Sequence, residues 1–413
     1  MTAIGALTGL FLSIFLILKK INPAYSLILG ALVGGLLGGL SIVETTTFMV
    51  TGIKDISPAI IRILTAGVLS GVLIKTGAAA RIAYSIINKL GESRALIALV
   101  LATMILTAVG VFIDVAVITV SPIAIVLAQK MDYSKGHILI AMIGGGKCGN
   151  IISPNPNTII ASENMGADLS SVMVANLIPA ILGALFVIWL VMHFSNKGER
   201  VTEAESQDLS SLPSFAASIT GPVVTIIFLA VRPLFGISID PLVALPAGGL
   251  AGYLAAREKA SLSVCLDYGL GKMAGVSILL VATGTIAGII KNSTLKDLIL
   301  SGLSQLSISE SLIAPVSGAL MSAVTASSTA GSALASASFS NAILAAGIPA
   351  IWGAALINSS ATMFDHLPHG SFFHATAGAV GMNLKERLRL IIYESLVGTV
   401  LTIFSFIAYL VMH

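Results

Sequence analysis

Long apolar runs follow one another along almost the entire chain, and few charged residues interrupt them. Most approach the roughly 20 residues that an α-helix needs to cross a bilayer. Only 10% of the 413 residues are charged, against about 25% in a soluble domain, so a water-soluble globular protein is excluded. The chain is predicted to be an all-α polytopic membrane protein, with membrane runs at Ala3–Leu18, Ala24–Val43, Ala59–Ile74, Ala95–Phe112, Val115–Ala128, His137–Ile152, Val172–Phe194, Ile219–Phe235, Pro241–Ala256, Gly275–Ile290, Leu312–Val324, Ala333–Ile348, Ile351–Met363 and Leu388–Met412.

Charge and cysteine usage narrow the functional class. The net charge of +3 comes from short Lys/Arg clusters between apolar runs, which is typical of a topology signal, so no nucleic-acid partner is expected. Cys148 and Cys265 lie far apart, and neither a disulfide framework nor a zinc site is predicted. No cofactor is expected. The first 18 residues lack a basic start and are interpreted as a spanning helix, not a cleaved signal peptide.

One long polar stretch divides the chain. Residues 195–214 carry both acidic and basic side chains together with several serines, unlike any other stretch of this length. The predicted organisation is therefore a first membrane repeat at residues 1–194, a polar linker at 195–217 and a second membrane repeat at 218–413.

The two halves resemble each other. Leu69–Gly77 is similar to Ile286–Thr294, and each half then contains two polar interruptions of its apolar runs. These breaks are predicted at residues 112–114 and 144–158 in the first half, and at 325–331 and 358–370 in the second. Discontinuous helices or re-entrant hairpins are the expected result.

Basic residues indicate that the repeats have inverted topology. Lys19 and Lys20 follow the first apolar run, whereas Arg257 and Lys259 follow the second run of the second half. If basic ends are cytoplasmic, equivalent helices cross in opposite directions. Inverted repeats with broken helices are typical of secondary transporters, whose site lies near the membrane midplane.

The polar breaks carry the residue types that suit an oxyanion. Helix N-termini offer free N–H groups, Pro154 and Pro156 stop a helix, and Gly144–Gly146 is expected to bend the backbone or approach a ligand. Two alternatives stay open: the stretch is an extramembrane loop, or Lys147 is a snorkelling lysine and not a partner of a substrate carboxylate. The predicted substrate-binding residues are Lys147, Asn150, Ser153, Asn155, Asn157, Thr158, Ser327, Ser328, Thr329, Ser359, Ser360 and His369.

Three titratable residues are predicted to handle a coupling ion. Asp114 lies inside an apolar run, and a membrane-embedded acid is a candidate proton carrier or cation ligand. Asp365 and His366 lie in a short Asp/His cluster, where an imidazole can carry a proton at physiological pH. A metal site is not expected, because a proline interrupts this cluster and its spacing fits no standard metal motif.

Four of these stretches resemble the gluconate:proton symporter family. Residues 112–122 are similar to its Phe-Phe-Glu-Val stretch, residues 153–168 to its Pro-Pro-His-Pro motif with the following Gly-Ala-Asp, residues 325–331 to its Thr-Ala-Gly segment, and residues 365–373 to its Ser-His-Val-Asn-Asp-Ser-Gly-Phe-Trp motif. The likeness runs in order from about Ile63 to Val411. This chain has Asn155 where the family motif has histidine, Asp114 where it has glutamate, and Pro368 with His369 where it has the Asn-Asp pair.

The resemblance implies an ion-transporter-superfamily fold, a homodimer, and an elevator-like movement of a transport domain against a scaffold. It implies proton-coupled symport of a small hydroxycarboxylate such as gluconate or a related sugar acid. Asn157-Thr158 also resembles the Ser-Asn-Thr motif of sodium-coupled dicarboxylate carriers, so a sodium-coupled di- or tricarboxylate transporter stays open, as does a cation/proton antiporter.

An enzyme is not expected, because the sequence shows neither a nucleophile paired with a base nor a His-Glu-x-x-His motif. The expected partners are a small organic anion, a coupling proton or sodium ion, and membrane lipid. The expected location is the inner, cytoplasmic cell membrane, which the chain crosses several times.

Overall fold

The computed structural model describes residues 1–193, 198–201, 211–235, 239–256, 259–305 and 309–412. These residues are almost entirely helical, and the β structure among them is one isolated bridge between Ser134 and Arg200. The helices are α1 Ala3–Leu18, α2 Pro23–Leu37, α3 Ile42–Lys75, α4 Ala78–Leu90, α5 Ala95–Ala108, α6 Ile113–Met131, α7 Lys135–Asn150, α8 Pro156–Met165, α9 Leu169–Ala175, α10 Leu177–His193, α11 Phe215–Phe235, α12 Pro241–Ala256, α13 Leu262–Lys291, α14 Leu295–Gln305, α15 Ile313–Thr325, α16 Ser328–Ala345, α17 Ala350–Ser360, α18 Ser371–Ala379, α19 Leu384–Arg389 and α20 Ile391–Met412.

Two long antiparallel helices, α3 and α13, form the spine of the molecule. Glycines let their backbones touch: a Cβ at Gly52 would lie 2.0 Å from the carbonyl oxygen of Gly284, and one at Gly269 would lie 2.0 Å from that of Gly67. Small residues at such crossings allow the close packing that associates helices in lipid.

The apolar runs predicted only parts of these two helices. The helix that contains the run Ala59–Ile74 begins at Ile42, and the helix that contains Gly275–Ile290 begins at Leu262. Asp55 lies in the part of α3 that the prediction left out, because a charged residue in lipid is unfavourable in a spanning helix. In the fold it pairs with Lys291 of the neighbouring helix, with 2.7 Å between Oδ2 and Nζ.

Two helical hairpins pack against opposite ends of this spine. The hairpin α1–α2 lies at the C-terminal end of α13, where the amide of Ala3 donates to Thr294 Oγ1 at 3.1 Å. The hairpin α11–α12 lies at the C-terminal end of α3, where Gly249 packs on Val68. Because α3 and α13 are antiparallel, the two halves are arranged in opposite senses, and the inverted repeat is confirmed.

Four described helices are long and apolar enough to cross a membrane, or six if each of two bent helix pairs counts as one span. The bent pairs are α4 with α5, bent by 105°, and α9 with α10, bent by 42°. The chain is a multi-pass membrane protein.

The broken helices lie in a second layer beside the spine. The predicted break at 144–158 is wrong at its N-terminal side, since α7 continues to Asn150 and only residues 151–155 interrupt the hairpin α7–α8. Gly145 and Gly149 are helical and press on α5, where a Cβ at Gly145 would lie 2.1 Å from the carbonyl oxygen of Val100. The glycine run therefore serves helix packing.

The other breaks are also placed differently from the prediction. The first lies at residues 109–112, so Asp114 belongs to the first turn of α6. The break predicted at 325–331 shrinks to Ala326 and Ser327, because Ser327 caps α16 by accepting from the amide of Ala330 at 3.2 Å. The second hairpin, α17–α18, has the longest interruption, residues 361–370.

Of the predicted linker 195–217, the structure describes residues 198–201 and 211–217, and α11 already begins at Phe215. Most of its charged residues, and also Arg257, lie outside the described residues. Glu199 accepts from Lys135 Nζ at 2.6 Å, and its backbone amide donates to the carboxylate of Glu386 in the second half. The Lys135 ammonium lowers the pKa of Glu199 below its ordinary value. The division into 1–194 and 218–413 stays a prediction.

Candidate functional site

All four breaks meet at one cavity of about 150 Å³. Since water in the liquid occupies about 30 Å³ per molecule, the space suits a small polar solute. The cavity is lined by Phe112, Ile113, Asp114, Asn150, Asn157, Ala326, Ser327, Ser328, Thr329, Asp365, Ser371 and Phe372.

Four helices begin at this cavity: α6, α8, α16 and α18. The first N–H groups of a helix have no partner inside it, and the helix dipole places about half a positive charge there. The N-caps of α6 and α18, Phe112 and Gly370, supply no side-chain acceptor. An oxyanion in the cavity can supply that acceptor.

Two buried carboxamides add donors to the same wall. Asn150 Oδ1 accepts from Asn155 Nδ2 at 2.6 Å, and Asn157 Oδ1 accepts from Thr329 Oγ1 at 2.5 Å. Their Nδ2 atoms are buried and have no hydrogen-bond partner among the described residues. An unsatisfied buried donor costs about 1–3 kcal/mol. A bound acceptor would remove that cost, and these fixed oxygen contacts keep the two amino groups available for it.

Asp114 lines the cavity from the first turn of α6. Within the described chain it makes no ion pair or hydrogen bond, while Tyr268 of α13 lies close enough to sense its charge. Its position at a helix N-terminus stabilises the carboxylate. Asp114 and Asp365 are the two carboxyl groups among the residues that line the cavity.

Asp365 also lines the cavity, and it is paired with a cation. Its Oδ1 lies 2.7 Å from Nζ of Lys147, which is fully buried on α7. The same ammonium donates to the carbonyl oxygen of Thr362 at 2.5 Å and lies 2.9 Å from His366 Nδ1. The pair therefore joins the first hairpin to the break of the second, and Lys147 itself does not border the cavity.

A second buried ion pair supports this cluster. Arg387, fully buried, makes a two-pronged contact with the carboxylate of Glu394 and also donates to the carbonyl oxygen of Phe373 at 3.2 Å. Planar guanidinium groups match carboxylates in this way. Glu394 in turn offers its backbone oxygen to Lys147 Nζ at 3.4 Å.

The structure gathers part of the predicted set at the cavity. The predicted residues that line it are Asp114, Asn150, Asn157, Ser327, Ser328, Thr329 and Asp365. The predicted residues that lie outside its lining are Lys147, Ser153, Asn155, Thr158, Ser359, Ser360, His366 and His369.

Several residues of the second group hydrogen-bond to the backbone of the breaks or of the helices beside them. Asn155 caps α8 through its contact with the amide of Thr158, at 3.2 Å. Ser359 and Ser360 donate to carbonyl oxygens one turn back in α17. His369 is exposed, and its Nε2 lies 3.1 Å from the carbonyl oxygen of Val324.

Sequence reasoning missed several residues of the site. Ser371 and Phe372 border the cavity because α18 begins directly after the break, and the Pro-His-Gly sequence before them was the available signal. Arg387 and Glu394 were also missed. They are charged residues next to a long apolar run, a pattern equally typical of a helix end in water.

A further ion cluster links this layer to the spine. Arg62 of α3 contacts the carboxylate of Glu163 at the end of α8, and its Nη2 lies 2.7 Å from Asp240 Oδ2 before α12. Arg62 is an isolated charge in the apolar part of α3, and this isolation was the feature of the sequence that could have indicated the ion cluster.

Comparison with known proteins places the chain in a family. A model of the GntP family permease matches residues 1–245. An uncharacterized transporter of Haemophilus influenzae is 53% identical over 98% of this chain and 97% of its own length.

Two named transporters of Escherichia coli K12 are more distant. The high-affinity gluconate transporter is 24% identical over 54% of this chain and 51% of its own length, and the D-serine transporter DsdX is 22% identical over 78% and 79%. The crystal structure of the YdaH transporter of Alcanivorax borkumensis, described as having an unusual topology, has the same fold, with a TM-score of 0.67 and 14% identity over 89% of this chain and 88% of that one. The chain thus belongs to the GntP family of permeases and is a transporter, not an enzyme.

Proposed function

We propose that this protein is a secondary active transporter that takes up a small organic hydroxycarboxylate, such as gluconate or a related sugar acid, together with a proton across the cytoplasmic membrane. The observation that carries the proposal is the convergence of four helix N-termini and two unpartnered buried amide donors on one small cavity. Donors in this arrangement favour a carboxylate.

The hydroxyl groups of such a substrate also find partners. Asp365 presents a carboxylate to the cavity, and ionised carboxylates only accept hydrogen bonds. Ser327, Ser328 and Ser371 can both donate and accept. A polyhydroxylated monoacid therefore satisfies both kinds of group at once.

Asp114 gives a physical reason for coupling. A substrate carboxylate bound beside an ionised Asp114 brings two like charges into a poorly solvated space, which is costly. Protonation of Asp114 removes the repulsion, so the anion and the proton bind better together than separately. A sodium ion at Asp114 would have the same effect, and the experiment separates the two.

The movement proposed for transport is of the elevator type. The layer that holds the cavity contacts the spine through partly exposed polar groups such as Arg62 and Glu163, whose contact can break and re-form in water. We also propose that the protein works as a homodimer in the inner membrane, as the resemblance of its motifs implies.

The test uses purified protein in proteoliposomes with an acid exterior and labelled gluconate. We expect accumulation that follows the pH gradient and does not require sodium. Asp114→Asn mimics the protonated acid, so pH-driven accumulation should fall at least tenfold while exchange of labelled for unlabelled substrate continues. Asp267→Asn is the control, because Asp267 is an exposed aspartate that, among the described residues, accepts only from Ser263, at 3.2 Å.

Three results would contradict the proposal or part of it. Undiminished pH-driven uptake by Asp114→Asn would remove the assigned role of Asp114. Uptake that needs sodium would favour the sodium-coupled alternative. Sodium that collapses a pH gradient with no organic acid present would favour an antiporter.

A further inference from the structure

The two carboxylates of the cavity differ in their counter-charges. Asp365 is 3% exposed and lies 2.7 Å from an ammonium group, whereas Asp114 has no ion-pair partner in the described part of the chain. Each must still face a substrate that is itself an anion. The net charge that moves with the substrate depends on whether one or both of these carboxylates take up a proton when the substrate binds.

Lys147 is held as a full cation. An ammonium group has three N–H donors, and three acceptors lie within 2.9 Å: Thr362 O, Asp365 Oδ1 and His366 Nδ1. Three acceptors around one amino group favour the ammonium form, and a buried ammonium needs a charged counter-ion to offset the cost of desolvation. Asp365 supplies that charge.

His366 is neutral in this arrangement. Its Nε2 lies 3.1 Å from the carbonyl oxygen of Ile391, which can accept only, and 3.1 Å from the Ser395 hydroxyl, so a hydrogen on Nε2 is used. Its Nδ1 lies 2.9 Å from Lys147 Nζ and 3.3 Å from Asp365 Oδ1, and in the shorter contact Nδ1 accepts from the ammonium. The hydrogen therefore sits on Nε2, and the ring carries no charge. A second proton on His366 would have to displace the Lys147 contact.

The groups around Asp365 sum to no net charge. Lys147 on α7 balances Asp365, and Arg387 balances Glu394 of α20, with both members of the second pair at most 1% exposed. His366 adds none, and His374 of α18 binds the carbonyl oxygen of Pro368 at 2.9 Å. Asp114 lines the same cavity as Asp365 and acts electrostatically on Tyr268 of α13, whose ring centroid lies 4.6 Å from the Lys75 ammonium.

We infer that Lys147 is a positioning residue that keeps Asp365 ionised, so that Asp114 alone is neutralised when the anion binds and one proton accompanies each monoanion. This inference rests on the proposed function. It makes uptake of a monoacid electroneutral, driven by the pH gradient and not by the membrane potential.

The first measurement is made on the wild-type protein. Gluconate uptake into proteoliposomes is followed at a constant pH gradient while valinomycin and potassium set the potential at 0 or −100 mV inside. We expect the same final accumulation in both. One unbalanced charge would change it about 50-fold per 100 mV, and a change of that size would overturn the inference.

The second measurement removes the counter-charge. In Lys147→Gln, Asp365 must also be neutral before the anion binds, so uptake should need a more acid medium by at least one pH unit and should become responsive to potential. Lys147→Gln/Asp365→Asn removes both charges and should regain the pH dependence of the wild type, although its rate can differ. A double variant that still needs the acid medium would contradict the role of Lys147.

Thermal unfolding in detergent gives a readout that does not depend on transport. A buried carboxyl without its counter-ion folds more easily as the neutral acid, so Lys147→Gln should become more stable as the pH falls from 8 to 5. The wild type and the double variant should not show this gain, and equal pH profiles in all three would sink the inference. Absence of organic-acid uptake by the wild type, with the stability pattern present, would instead refute the proposed function alone.

Discussion

In each broken hairpin, α7–α8 and α17–α18, one side chain hydrogen-bonds to the backbone at the break of the other hairpin. One of these side chains is a neutral amide and the other is a charged ammonium. Asn358 of the second hairpin donates to the carbonyl oxygen of Ile151 in the first break, at 3.1 Å, and to Thr158 Oγ1 at 3.0 Å. Lys147 of the first hairpin donates to the carbonyl oxygen of Thr362 in the second break. In both cases a side chain just before its own break satisfies the backbone of the other.

The difference lies in charge. The break between α7 and α8 is held by a neutral amide, whereas the break between α17 and α18 is held by an ammonium that needs Asp365 as its counter-ion. An inverted repeat fixes where a brace must be, because unpaired carbonyl groups inside a membrane are costly. It leaves open which residue type supplies the donor, and in this chain the donor is neutral at the break between α7 and α8 and charged at the break between α17 and α18.

The largest effect is expected at the closest backbone contact of the second break. A Cβ at Gly370 would lie 2.4 Å from the carbonyl oxygen of Ala326, whose own φ of +47° leaves little room to move. Gly370→Ala should cost about 3 kcal/mol of stability and abolish uptake, measured by thermal unfolding and by transport.

The matched control is Gly378→Ala in α18 of the same hairpin, where a new Cβ meets no atom within 4 Å. That variant should keep or slightly raise the unfolding temperature, since alanine favours a helix over glycine. Equal behaviour of the two variants would show that the contact with Ala326 does not hold the break.

A smaller effect is expected when the neutral brace is removed. Asn358→Leu fills the space but removes the donor of Thr158 Oγ1 and the shorter of the two donors of Ile151 O, which keeps only Asn176 Nδ2 at 3.4 Å, so the change should cost about 1–2 kcal/mol. Because no charge is lost, the drop in unfolding temperature should be the same at pH 5 and pH 8, unlike that of Lys147→Gln.

Ser359→Ala is the control for Asn358, because within the part of the chain that the structure describes the Ser359 hydroxyl donates only to its own helix, at 3.1 Å. A pH-dependent loss in Asn358→Leu would break the distinction between the neutral and the charged brace.

The breaks could be predicted from the sequence because clustered prolines, asparagines and serines are costly in a lipid-facing helix and are tolerated where a helix is interrupted inside the protein. The prediction placed them within a few residues but extended the break between α7 and α8 into Gly144–Gly146, since glycine in a helix is usually unfavourable. Only the structure shows that Gly145 is required for packing against Val100.

The candidate site was predicted less completely. Asp114, Asn157 and Asp365 stood out by type and position, and all three line the cavity. The partner of Lys147 could not be predicted, because Asp365 lies 218 residues away along the chain. Long-range pairs of this kind depend on how the hairpins pack, which no local pattern encodes.

The smallest effect is expected for the other ion pair of α7. Lys135 begins the same helix that carries Lys147, but its partner Glu199 has a side chain that is 39% exposed. Water screens such a pair, so Glu199→Gln should cost only about 0.2–1 kcal/mol. The comparison then isolates burial, since both lysines contact a carboxylate at nearly equal distance.

The pH dependence of this pair has a definite sign. The Lys135 ammonium lowers the pKa of Glu199 in the folded protein, so the stabilisation is present above the ordinary glutamate pKa of about 4.3 and is lost as the pH falls through the lowered value. The unfolding temperatures of wild type and Glu199→Gln should therefore differ slightly at pH 7 and converge towards pH 3. A difference at pH 7 as large as that of Lys147→Gln would mean that the exposed pair of Lys135 and Glu199 stabilises the protein as much as the buried pair of Lys147 and Asp365. Burial would then not explain the difference between the two pairs.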